Sequence, residues 1–111
     1  MNKVLLLGQI DNIKPSILPN DTQKVEFTII QNEKYKHNKE EKTITRYHKC
    51  EAFGSFEKYI TKYAENKQTV FIEGSVETQN WEHNGKKYEK TIVKLINSKH
   101  SVNLYGKNLD N

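Results

Sequence analysis

Alternation of apolar and polar residues predicts most of the secondary structure of this chain. Val25, Phe27 and Ile29 alternate with polar residues, which is the period-two pattern of a strand buried on one face. The same pattern predicts three further strands, over about residues 44–53, 70–76 and 91–95, and a compact β-type run predicts another over residues 3–10. Residues 14–21 are expected to form an irregular connection, and residues 32–42 a mobile, mainly cationic loop or an extended hairpin tip.

A helix is predicted between the third and fourth strands. Five apolar or aromatic residues recur at the spacing that places side chains on one helical stripe: Phe56, Tyr59, Ile60, Tyr63 and Ala64. Ser55 is the expected N-cap, and Asn66 is the expected end of the helix.

The dipeptide Asn84-Gly85 predicts a tight hairpin between the last two strands, because a type I′ turn requires positive φ at both central residues. With these two residues as the loop, Trp81 lies opposite Tyr88 on one face of the hairpin. The resulting order is that of an all-β, five-stranded oligonucleotide-binding (OB) barrel with one α-helix between strands 3 and 4.

The third strand is predicted to have a core face and a solvent-exposed face. His48, Cys50 and Ala52 fall on the core face, where His48 is expected to be a hydrogen-bonded structural residue or a subunit contact rather than a proton shuttle. The exposed face carries aromatic and charged residues in alternation: Tyr47, Lys49, Glu51 and Phe53. Aromatic side chains among lysines are suited to stacking flexible nucleic-acid bases, although such residues can also stabilise a hairpin or cap a barrel end.

Composition and charge narrow the class of protein. The 111 residues leave room for one domain, and 18 basic against 14 acidic residues give a formal charge of +4. This balance favours a polyanionic partner, with lysines that serve solubility as the alternative. The single cysteine, Cys50, excludes an internal disulfide, and the apolar run near the start is too short for a signal peptide or membrane span. We therefore expect a cytoplasmic, nucleoid-associated protein without a membrane partner.

Catalytic motifs are absent from the sequence. The four histidines and Cys50 show no zinc-ligand spacing, and neither a Gly-x-Ser-x-Gly elbow nor a phosphate-binding glycine-rich loop occurs. We expect no enzymatic activity, no metal and no cofactor.

Four segments, in this order, resemble the bacterial-type single-stranded DNA-binding protein family: residues 2–8, residues 47–54, residues 70–75, and Trp81 followed by Tyr88. The likeness extends from residue 2 to about 106, so we expect one OB-fold domain over residues 1–106 and a short C-terminal extension over residues 107–111. It implies sequence-independent binding and protection of single-stranded DNA in replication, recombination or repair.

The resemblance also implies which residues bind. Four aromatic residues occupy the positions where the family stacks bases: Tyr35, Tyr47, Phe53 and Trp81. The hairpin register adds a fifth, Tyr88. Basic residues near them are the candidates for phosphate contacts: Lys34, Lys36, Arg46, Lys49, Lys86, Lys87 and Lys90.

The chain also departs from the family pattern. Residues 9–15 lack the second glycine and the Asp-Pro that relatives often carry, and residues 77–80 lack basic residues before Trp81. The sequence stops at Asn111 without an acidic tail, so replication or repair proteins are not expected to be recruited through one. Together with the Lys- and Asn-rich composition, this favours a phage, plasmid or other mobile-element version, although a truncated form of a longer protein would look the same.

The resemblance implies a homotetramer, with a dimer as second choice, and the strand over residues 3–9 would otherwise present an unprotected edge. An interaction module resembling the primosomal replication protein of the same fold is the main alternative function. An RNA-binding barrel of the cold-shock kind is a weaker one, because the chain is longer and has a helix after strand three.

Overall fold

A computed structural model of the protein describes residues 2–106. Six strands and one helix follow one another in the described part of the chain: β1 (Val4–Ile17), β2 (Gln23–His37), β3 (Glu40–Phe53), α1 (Gly54–Tyr63), β4 (Thr69–His83), β5 (Lys86–Leu95) and β6 (Ser101–Leu104). The predicted C-terminal extension, residues 107–111, lies outside the described residues.

Five of the strands close into a barrel. Their order around the sheet is β1-β2-β3-β5-β4, and β1 closes the ring because it pairs with β2 through residues 9–17 and with β4 through residues 4–9. β3 and β5 are parallel neighbours, and the other pairs of the ring are antiparallel. The predicted all-β OB barrel, with its helix between β3 and β4, is confirmed. No helix among residues 2–106 has the length and apolar character needed to cross a membrane.

The barrel core consists of the residues that the alternation placed inside. Val25, Ile29, Val70, Ile72 and Leu95 are completely buried, and Cys50 and Ala52 join them from β3. Two residues expected on the inner faces are exposed instead, namely Val76 and Thr91. Thr91 precedes Val93, the first residue of β5 that pairs with β3, and Val76 lies beyond Gly74, the last residue of β4 that pairs with β1.

Strands extend into two segments that were predicted as connections. β1 continues to Ile17 after a bulge between Asp11 and Lys14, where Asn12 has φ +53°. The segment predicted as a mobile loop or a hairpin tip is the hairpin, because β2 and β3 stay paired as far as His37 and Glu40. The residues of these extensions are exposed on both faces and mostly polar, so they lack the alternation of apolar and polar residues that predicts a half-buried strand. β6, which pairs with β4, was also not predicted.

The helix begins earlier than predicted. Phe53 is its N-cap and makes no side-chain capping hydrogen bond, so the assignment of Ser55 as N-cap is wrong. Ala64, rather than Asn66, is the C-cap, and its backbone N–H donates to the carbonyl of Ile60. Ile60 is buried in the core, whereas Tyr59 and Tyr63, at the edge of the predicted stripe, are exposed.

Candidate nucleic-acid interface

Aromatic and charged side chains lie together on the solvent-facing side of β2, β3 and β5, and we call this surface the outer face. On β3 it includes Tyr47, Lys49 and Phe53, which alternate with the core residues of the same strand. The strand register places Thr28 of β2 opposite Lys49, and Lys94 of β5 opposite Glu51. Because Tyr88 and Lys90 share the alternation of Lys94 along β5, the outer face continues into the β4–β5 hairpin.

Trp81 and Tyr88 form a stacked pair at the end of this face. They are direct cross-strand partners, as predicted, and their ring centres are 5.6 Å apart with an angle of 16° between the planes. Asn84 and Gly85 have φ values of +51° and +75°, which satisfies the type I′ turn that sets this register. Since Trp81 is 48% and Tyr88 41% exposed, the pair offers ring surface to a ligand.

Tyr47 and Phe53 lie at opposite ends of the β3 part of the outer face. Tyr47 is 68% exposed, so its ring is largely accessible. Phe53 is half-buried, and the ammonium group of Lys94 lies 5.7 Å from its ring centre. The two rings thus differ in how much stacking surface they present.

The β2–β3 hairpin presents its predicted site residues on both faces. Tyr35 shares the alternation of Ile29, and Arg46 that of His48, so register places neither on the outer face with Tyr47. Arg46 pairs with Glu33 at 3.1 Å and Lys34 with Glu41 at 3.9 Å, both at exposed positions where ion pairs are weak and exchangeable.

The remaining predicted basic residues have no carboxylate within 4 Å in the described part of the chain: Lys36, Lys49, Lys86, Lys87 and Lys90. Lys86 and Lys90 share the outer alternation of β5 with Tyr88, whereas Lys87 lies on the opposite face of the hairpin. The structure therefore brings Lys49, Lys86 and Lys90 onto the surface that carries the stacked aromatic pair.

Glu51 is the exception to the predicted solvent-exposed face of β3. It is only 6% exposed and lies 3.5 Å from Lys24 and 4.0 Å from Lys94. Burial lowers the pKa of Lys24, but its pairs with Glu26 and Glu51 outweigh that effect and raise the pKa above its usual value. Sequence patterns missed this cluster because Lys24 and Lys94 reach Glu51 from different strands.

Two side chains of potential chemical interest, His48 and Cys50, lie on the inner side of β3. His48 shares a 2.9 Å hydrogen bond with the Gln31 side chain, as expected of a structural histidine. Burial raises the pKa of the Cys50 thiol to about 12, which keeps it protonated and unreactive. Among residues 2–106, no group of three or more His, Cys, Asp or Glu side chains is placed to hold a metal ion.

Comparison with known proteins identifies relatives over nearly the whole chain. The model of the single-strand binding protein family matches residues 1–110. The single-stranded DNA-binding protein of Aquifex aeolicus is 33% identical over 106 residues, covering 87% of this chain and 71% of the relative. The single-stranded DNA-binding protein 1 of Chlorobaculum tepidum is 31% identical over 100 residues, covering 84% of this chain and 60% of the relative.

Solved structures share the fold at lower sequence identity. The Plasmodium falciparum SSB in complex with ssDNA superposes with a TM-score of 0.86 at 23% identity, covering 96% of both chains. A deletion mutant of the single-stranded DNA-binding protein from Thermus aquaticus superposes with a TM-score of 0.76 at 18% identity, covering 96% of this chain and 51% of that one. At these sequence identities, the structural similarities show that the chains share the barrel fold.

Proposed function

The chain belongs to the single-strand binding protein family, and we propose that it binds and protects single-stranded DNA, with little dependence on base sequence, as one domain over residues 1–106. The observation that carries this proposal is the stacked Trp81–Tyr88 pair. It shares the outer face with Tyr47 and with lysines that have no carboxylate within 4 Å among residues 2–106. Family membership does not favour the alternative of an interaction module related to the primosomal replication protein.

Binding combines two interactions. Exposed rings receive bases, each stack contributing about 1 to 3 kcal/mol, and the ammonium groups of Lys49, Lys86 and Lys90 neutralise phosphates. All bases have a π-face, so stacking tolerates any sequence, whereas duplex DNA hides those faces. Lys34 and Lys36 extend the surface along the β2–β3 hairpin, and Phe53 extends it at the end of β3. Tyr35, Arg46 and Lys87 lie on the other faces of the two hairpins and would meet a strand that passes around the hairpin tips. The process requires no catalytic step and no cofactor.

A fluorescence titration tests the proposal. Trp81 is the only tryptophan of the chain, so its quenching reports directly on a base that stacks at the hairpin. Oligo-dT of graded length should quench it at modest ionic strength, and a duplex of mixed sequence should do so far more weakly. Equal affinity for duplex and single strand, or no quenching by oligo-dT, would refute the proposal.

The protein is further proposed to be a homo-oligomer, a tetramer first and a dimer second. The pairing of β1 with β2 begins only at Gln9. Residues 4–8 of β1 therefore pair with β4 on one side and with no strand of the described chain on the other. Leu5 and Leu7, which are 54% and 56% exposed, lie on this segment. An open edge with exposed leucines favours pairing with a second copy. Sedimentation equilibrium measures the assembly directly, and a monomer at micromolar concentration would refute it.

The proposed cellular setting is the cytoplasm, at the nucleoid, during replication, recombination or repair. A phage, plasmid or other mobile-element origin stays a prediction from the Lys- and Asn-rich composition.

A further inference from the structure

A concave pocket of about 200 Å³ lies on the outer face, between the bulge of β1 and the strands β2, β3 and β5. We call it the β1–β5 pocket. Apolar Ile92 forms part of its wall and is 1% exposed although it lies outside the main core cluster. Most of its polar lining comes from six residues: Asn12, Lys14, Glu26, Thr28, Lys49 and Lys90.

Three of these lining residues are lysines. Lys14, Lys49 and Lys90 line the same concavity, and none has a carboxylate within 4 Å in the part of the chain that the structure describes. Lys14 follows the β1 bulge, a device that redirects side chains. It stands opposite Glu26 in the β1–β2 register without forming an ion pair with it. Ammonium groups gathered in this way attract a phosphate.

The pocket also offers a hydrogen-bond acceptor beside the lysines, on the cross-strand neighbour of Lys14. Glu51 also lines the pocket, but its side chain is 8% exposed and lies between Lys24 and Lys94. Glu26 differs, since its side chain is 45% exposed and its one ion pair within 4 Å in residues 2–106 joins Oε1 to Lys24 at 3.2 Å. A carboxylate has about four acceptor sites, so Glu26 retains capacity for a ligand. Lys24 fixes the position of the carboxylate at the same time.

We propose that the β1–β5 pocket holds one nucleotide of the bound strand, with its phosphate among Lys14, Lys49 and Lys90 and the edge of a guanine on Glu26. Unpaired guanine presents two adjacent donors, the ring N1–H and the exocyclic amino group, which match the two oxygens of a carboxylate. Thymine presents a single N–H between two carbonyl oxygens, and these oxygens repel a carboxylate. The inference rests on the proposed binding of single-stranded DNA and adds a preference for guanine at a single position.

Anisotropy titrations with a short oligo-dT, and with the same oligomer carrying one central dG, test the base preference. The intact protein should bind the dG oligomer at least about five-fold more tightly, the lower end of what a bidentate contact provides. Replacing dG by deoxyinosine, which lacks the exocyclic amino group, should remove much of that gain. Glu26→Gln should abolish it, whereas Glu89→Gln should retain it, because Glu89 is exposed and lies outside the pocket while the charge change is the same.

The phosphate contact has its own readout. Lys14→Ala should reduce the salt dependence of binding by about 0.7 in log–log slope for both oligomers, and Lys58→Ala on the exposed side of α1 should leave it unchanged. Equal affinity for the two oligomers in the intact protein, or a dG preference that survives Glu26→Gln, would overturn the proposed pocket. Failure to bind oligo-dT at all would instead overturn the proposed function, so the two failures are distinguishable.

Discussion

The ammonium nitrogen of Lys94 lies 5.7 Å from the centre of the Phe53 ring. Lys94 is held there by Glu77 at 3.2 Å and by buried Glu51 at 4.0 Å. A cation above an aromatic face is attracted by the ring quadrupole, so this arrangement restrains both side chains. A base that stacks on Phe53 from that side has to displace Lys94, which distinguishes this position from the open ring of Tyr47.

Removing Lys94 should destabilise the fold. Lys94→Met leaves the buried carboxylate of Glu51 with Lys24 as its remaining ion-pair partner within 4 Å among the described residues, at an expected cost of about 1 to 3 kcal/mol in the free energy of unfolding. Urea unfolding measures this loss. In the double variant with Glu51→Gln the two effects should be less than additive, because the uncompensated charge is gone. Strict additivity would show that the two side chains are not coupled.

Loss of a stacking ring should weaken binding without changing sequence preference. Trp81→Ala and Tyr47→Ala are each expected to cost about 1 to 3 kcal/mol of binding free energy, equally for oligo-dT and for mixed sequences. Anisotropy with labelled oligomers measures both. Tyr63→Ala is the matched control, since this exposed tyrosine lies on α1 away from the outer face. Unchanged affinity in both test variants would eliminate the stacking surface.

Phosphate neutralisation should make the affinity strongly dependent on salt. If about five lysines each neutralise one phosphate, the log–log slope of affinity against salt is near −3.5, at roughly −0.7 per phosphate on single strands. Lys86→Ala should reduce the magnitude of that slope by about 0.7. Titrations at four or more salt concentrations determine the slope, and a value near zero would exclude the proposed phosphate contacts.

Cys50 should be protected in the folded protein. Burial raises its thiol pKa from 9.0 to about 12, so the folded state keeps a proton that the unfolded chain releases above about pH 9. The free energy of unfolding should therefore fall as the pH rises from 9 towards 12. At pH 8 a thiol reagent should label Cys50 only after addition of denaturant. Rapid labelling of the native protein would show that β3 opens locally.

The predictions that succeeded depend on local sequence. Alternation placed Val25 and Ile72 in the core, and Asn84-Gly85 determined the register that pairs Trp81 with Tyr88. Both follow from backbone geometry within a few residues, because side chains alternate along a strand and a type I′ turn permits one pairing of its flanking strands. The order of strands and helix could be predicted from the sequence for the same reason, because each element has its own local periodicity.

The sequence by itself therefore determined the central parts of five strands, most of the core and the aromatic hairpin. Tertiary structure alone decided that Glu51 is buried between Lys24 and Lys94, and that Lys14 shares a pocket with Lys49 and Lys90. These residues are far apart along the chain and meet only when β1 closes the barrel and β5 aligns with β3. Such meetings depend on pairing between distant segments, which local periodicity does not encode.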